Sequence, residues 1–135
     1  MPASLDIPVA PGEVIDKITI LEIKSERIDD PAKLANVGRE LDLLLSVWSA
    51  SGLENGKVAG LRQQLKGVNE QLWEIEDDIR RLEQAGDFGP DFIELARSVY
   101  ITNDQRAALK RQINLALGSE ILEEKSYADY KRRSP

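Results

Sequence analysis

With no histidine and no cysteine among its 135 residues, this chain must do any chemistry with carboxylates, amines, guanidinium groups and amides. Two such groups stand where the hydrophobic pattern calls for an aliphatic side chain. Glu22 falls on the inner face of the first predicted helix, between the directions of Ile15 and Ile18, and Arg106 falls in the centre of the apolar face of the last. A buried charge without a partner is costly, so each needs a counter-charge. One expectation is that Glu22 and Arg106 meet, directly or through Asn103, Asn69 or Lys110. The alternative is that both long side chains reach water from the edges of their stripes. Lys17, Glu22, Asn103, Arg106 and Lys110 form the candidate ligand-binding set, because enclosed cations can hold a small anionic or nucleotide ligand.

A second group is acidic. Glu74, Glu76, Asp77 and Asp78 lie on the third predicted helix, and Glu22 and Glu26 stand one turn apart on the first. Carboxylates three or four residues apart share a helix face, and two such helices can hold Mg²⁺ through oxygen ligands. Glu22, Glu26, Glu74 and Asp77 are therefore the alternative metal set. Arg80 and Arg81 beside this run favour a solvated, ion-paired face instead, and the expectation is no metal and no cofactor. No phosphate-binding glycine loop, zinc motif or nucleophile with its base is present. No residue is assigned a catalytic role, and the balance leans away from an enzyme.

The elements that position these residues are read from hydrophobic spacing. From Val58 to Leu82 the apolar residues Val58, Leu61, Leu65, Val68, Leu72, Ile75, Ile79 and Leu82 advance in alternating steps of three and four. That is the a/d seam of a coiled-coil helix. Before it, Leu34, Val37, Leu41, Leu44 and Trp48 repeat the spacing, after an Asp30-Pro31 start signal. The short SGLENG link predicts that these two helices pair as an antiparallel hairpin. The first helix carries Val14, Ile15, Ile18, Leu21 and Ile28 on one face, with Ile20 and Ile23 opposite. A helix apolar on two sides is sandwiched, by its own bundle or by another subunit. The last helix carries Phe92, Leu95, Val99, Thr102, Arg106, Leu109, Ile113 and Ala116. A capping-box match at Thr102 and Gln105 competes there with an unbroken register, which favours one continuous helix.

The fold expectation is an all-α antiparallel bundle of four main helices, at about 11–28, 31–50, 57–85 and 90–117, with coiled-coil-like packing. Residues 119–130 would add a short amphipathic C-terminal helical segment. Residues 1–10, with Pro2 and Pro8, form an extended leader whose Leu5, Ile7 and Val9 lie along the bundle. The domain spans 11–130, and 131–135 form a basic tail. Trp73 lies off the seam of its helix, so Ile20, Ile23 and Trp73 are interface candidates.

Composition narrows the partners. A net charge of −6 and a pI near 4.8 oppose a general nucleic-acid or anionic-membrane binder, which needs a basic face. No apolar stretch approaches transmembrane length, and the N-terminal residues lack a signal-peptide pattern. The expectations are no nucleic acid, no membrane and a cytoplasmic setting. Heptad-patterned helices self-associate readily, so a homodimer is expected, with an unidentified protein partner as a further possibility.

The phrases PGEVIDKITILEIKSERI, VNEQLWEIEDDIR, FIELARSVYITNDQRAALKRQIN and EEKSYADY resemble a family of small bacterial proteins known only as a domain of unknown function. The resemblance spans roughly Pro8 to Tyr130. It implies a bacterial, stand-alone helical protein and no particular activity. It also makes Glu13, Asp16, Lys17, Glu22, Lys24, Asn103, Arg106 and Lys110 site candidates. The leading functional expectation is a non-enzymatic, partner-binding or scaffolding protein that self-associates. The alternative is an enzyme or binder of a small anionic or nucleotide ligand in a charged pocket between helices.

Overall fold

Proline sets the start of three of the four helices, because its fixed φ suits the first helical position and its missing N–H is no loss there. The computed structural model describes residues 3–131. Helix α1 runs Pro11–Arg27, α2 Pro31–Ser51, α3 Gly56–Ala85 and α4 Pro90–Ala116. Asp30 caps α2 by accepting from the Ala32 and Lys33 amides at 2.9 and 3.5 Å. Asn55 caps α3 by accepting from Val58 N–H at 2.9 Å. Gly52 and Gly86 close α2 and α3 with φ of 68° and 67°, the left-handed conformation that favours glycine. Among the described residues there is no strand, and no helix is long and apolar enough to cross a membrane.

Helix α1 is the central rod and packs against all three others. This resolves its two apolar sides: Ile15, Ile18 and Leu21 are buried, and so is Ile23. The most extensive packing is between α3 and α4, which a short loop folds into an antiparallel hairpin. The buried core joins Ile15 and Ile18 of α1, Trp48 of α2, Val58, Leu61 and Leu65 of α3, and Leu109 and Ile113 of α4. Each such fully buried aliphatic side chain contributes about 1.5–3 kcal/mol relative to exposure. Beyond the end of α1, the α3–α4 hairpin continues as a two-helix arm. Its seam residues Leu72, Ile75, Ile79, Leu82, Phe92, Leu95 and Val99 are only half-buried, since a third helix no longer covers them.

Three expectations fail. Helix α2 packs on α1 and not alongside α3, so the predicted α2–α3 hairpin is replaced by α1–α2 and α3–α4 pairs. A short link brings helix ends together, but the inward stripe of α2 packs on α1. The leader does not lie along the bundle: Leu5 is 92% exposed and Ile7 68%, and only Ala10 is buried. Residues 119–130 are not helical. There the Ser119 hydroxyl bonds both the carbonyl and the amide of Ile121, at 2.8 and 3.1 Å, a local turn that competes with helix. Helix α4, by contrast, runs unbroken through Thr102–Asp104 as its register predicts. Of the basic tail, residues 132–135 lie outside the described residues.

Candidate functional site

A stripe on α1 at helical spacing, Gly12, Asp16, Thr19 and Ile23, faces inward and is buried. Its one charge, Asp16, is the node of a polar layer inside the bundle. Arg106 of α4 grips this carboxylate side-on, Nε to Oδ1 at 2.9 Å and Nη2 to Oδ2 at 2.5 Å. Asn69 of α3 donates from Nδ2 to Asp16 Oδ1 and to Thr19 Oγ1, both at 2.9 Å. Thr19 in turn donates to the Asp16 carbonyl at 2.7 Å. Three helices are thereby tied to one buried carboxylate. No buried side-chain nitrogen or oxygen lacks a partner among the described residues, as a stable polar layer requires.

The pair is asymmetric. The Asp16 side chain is 5% exposed and that of Arg106 30%. The hydrogen bonds to Asp16 raise the Arg106 pKa, against the opposing effect of burial, so the guanidinium stays charged throughout the usable pH range. Its Nη1 makes a long 3.5 Å bond to Asn103 Oδ1. One turn on, Lys110 Nζ lies 2.6 Å from Glu13, 3.4 Å from Glu123 and 4.0 Å from Asp16.

Next to this layer, residues 119–130 return along α4 and enclose a cleft of about 720 Å³. Glu124 binds Arg111 at 3.3 Å, and the Tyr130 ring packs on Tyr100 with centroids 5.1 Å apart. All three tyrosines of the chain, Tyr100, Tyr127 and Tyr130, line this one cleft. Its charged lining comprises Arg106, Lys110 and Lys125 against Asp104 and Glu123. Three cations and two carboxylates thus line the cleft, with Asp16 and Glu13 pairing Arg106 and Lys110 from behind. Glu123 also binds Lys125 at 2.7 Å. That hydrogen bond is the main cause holding the Glu123 carboxyl below its usual range and the Lys125 amine above its own. The wall offers cationic and amide donors beside aromatic faces, the equipment for recognising an anion attached to an apolar or planar group.

Of the predicted ligand set, Asn103, Arg106 and Lys110 come together on this wall. Lys17 does not: it is exposed and paired with Glu40 of α2 at 2.8 Å. Glu22 does not pair with Arg106 either; its partner is Arg62 of α3 at 3.4 Å, and Asp16 takes the place foreseen for it. The alternative metal set is dispersed. Glu22, Glu26 and Glu74 are held in separate ion pairs with Arg62, Lys66 and Arg27. No group of three or more carboxylates placed to hold a metal occurs among the described residues. Ile20, Ile23 and Trp73 do meet, with Asp77, but as walls of a groove of about 430 Å³ between α1, α3 and α4. Ile23 is 1% exposed, so it cannot form part of an outer patch.

Asp16, a candidate by resemblance alone, and Asn69, expected only as a go-between for Glu22 and Arg106, are the residues that meet Arg106 or its partner; Glu123 and the tyrosines of the C-terminal segment were not among the candidates. Asp16 had a legible signal, since it lies one turn before Ile20 and seven residues before Ile23 on the second inward stripe.

No curated protein and no solved structure matches this chain. A family model does match, over residues 5–134. The chain belongs to the family described as "Family of unknown function (DUF6165)".

Proposed function

We propose that this protein binds a small anionic molecule in the cleft between α4 and residues 119–130. The observation that carries the reading is the gathering of Arg106, Lys110 and Lys125 with all three tyrosines around one cleft of about 720 Å³. That volume falls within the range of about 300–1,000 Å³ usual for small-molecule sites. The Asp16 grip holds Arg106 in one orientation before any ligand arrives, which lowers the ordering cost of binding. The reading keeps the bacterial, cytoplasmic setting drawn from resemblance and composition. Its test is a thermal-shift screen with inorganic phosphate, citrate, succinate and nucleotides. A ligand at 100 times its Kd adds about 2.7 kcal/mol of apparent stability, and Lys110→Met should abolish the shift. If no anion moves the transition at millimolar concentration, the reading is wrong.

Self-association is a second reading, favoured by apolar side chains left uncovered. Leu43 and Val47 lie one turn apart on α2 and are exposed, as are Phe88 and Ile93 at the tip of the arm. A dimer, or a scaffold for a protein partner, would cover them. Sedimentation equilibrium decides the dimer: a monomer at about 100 μM, well above a micromolar Kd, would remove it.

A further inference from the structure

Glu123 holds a position that the proposed ligand would need. Its carboxylate bridges two ammonium groups, at 2.7 Å from Lys125 Nζ and 3.4 Å from Lys110 Nζ. Yet its side chain is 45% exposed, and it sits on a segment with no helix or strand. Its ion pairs with Lys110 and Lys125 hold it there. Beside it, Lys125 Nζ lies 5.7 Å from the centroid of the Tyr127 ring, so one cation touches both the carboxylate and an aromatic face. The cleft is also lined by the Tyr100 and Tyr130 rings, inclined at 55° to each other.

We propose that the cleft takes a nucleoside monophosphate, or a molecule of the same chemistry, a flat ring joined to a phosphate ester. The phosphate displaces Glu123 from Lys110 and Lys125, and the ring packs against the tyrosines. This rests on the anion-binding reading above and names its ligand class. Compact lysine ammoniums suit phosphate as point charges. A phosphate ester carries about −1.5 to −2 charge at neutral pH, against the single charge of the carboxylate it replaces, so the exchange favours the ligand at Lys125, while Lys110 keeps Glu13 at 2.6 Å. Base–aromatic stacking supplies the non-ionic part of the affinity. Glu123 is a tethered competitor with an effective concentration of order millimolar, and it therefore weakens binding in the native chain.

The experiment is isothermal titration calorimetry of AMP, adenosine, ribose 5-phosphate and succinate into the native chain and Glu123→Gln. Glu123 is exposed, so the variant should fold, and circular dichroism checks that it does. The expected result is AMP binding to both, about twofold to fivefold tighter in the variant, as removal of one exposed ionic competitor implies. Adenosine and ribose 5-phosphate should each bind more weakly than AMP. AMP binding no tighter in Glu123→Gln overturns the displacement. Ribose 5-phosphate binding as tightly as AMP overturns the role of the ring. Succinate binding without AMP binding overturns the ligand class while the anion-binding reading stands. Silence from all four probes in both proteins removes that reading as well.

Discussion

Removing Arg106 should cost more stability than removing Asp16, although the two form one ion pair. The Asp16 side chain is 5% exposed and the Arg106 side chain 30%. In Arg106→Met the carboxylate is left buried with Asn69 at 2.9 Å and Lys110 at 4.0 Å. Breaking a buried pair on one side costs about 3–5 kcal/mol. The residual help from Lys110 and Asn69 puts the expectation at the low end, about 3 kcal/mol. In Asp16→Ala the guanidinium can turn towards water, and Asn69 keeps its bond to Thr19, so the cost is about 2 kcal/mol. The double variant has neither stranded charge and should also cost about 2–3 kcal/mol, a coupling of about 2 kcal/mol. Urea unfolding followed by circular dichroism measures all four proteins at one concentration. At about 3–5 °C per kcal/mol for a chain of this size, Arg106→Met should melt roughly 10 °C lower. Additive costs, or a loss below about 1 kcal/mol in Arg106→Met, would show that the pair does not organise the interior.

Other perturbations test other parts of the structure. A Cβ at Gly12 would lie 2.6 Å from the Lys110 carbonyl oxygen and 2.8 Å from Asn114 Oδ1. Gly12→Ala should therefore push α1 off α4 and cost about 1–3 kcal/mol by denaturant titration. Leu65→Ala, in the fully buried core, should cost about 3 kcal/mol. Ile79→Ala, on the half-buried arm seam, should cost less than half of that in the same titration. Residues 119–130 should come away from α4 in acid. Because folding lowers the Glu123 pKa from 4.5, its contribution is present above that pH and is lost as pH falls through the depressed value. The raised Lys125 contribution is present below 10.5 and is lost only as pH rises past its folded value. NMR of the Tyr100 and Tyr130 rings should thus show one state around neutral pH and change in acid.

Much of this architecture is visible in hydrophobic spacing. The seam from Val58 to Leu82 marks α3, and the unbroken register through Thr102 and Arg106 marks α4 as one helix. The two apolar sides of α1 mark it as the enclosed rod. Spacing also shows that Arg106 needs a partner, but not which one. A helical wheel gives direction around an axis and nothing about height along it, and Asp16 rather than Glu22 stands level with Arg106. The packing of α2 was obscured for a related reason: a seam declares that it will be covered, not by what. The cleft was least legible. Residues 119–130 have a helix-like apolar rhythm, and only the Ser119 turn and the pull of Lys110 and Arg111 on Glu123 and Glu124 decide otherwise. The ion pairs are contacts of the folded chain, 13 positions apart, and only the Ser119 turn is local.

Helix α1 lacks a side-chain cap of its own, since Ala10 precedes it. The Gly12 amide is instead received by Asn114 Oδ1 at 2.7 Å, from a residue 102 positions away. A nascent chain leaves the ribosome from its N-terminus, so α1 emerges well before α4, and its opening turn is secured only once Asn114 has followed 102 positions later. The α3–α4 hairpin, joined by local contacts, can assemble ahead of it. Any product released before Asn114 is translated would show a defect 102 positions away, as a frayed beginning to α1.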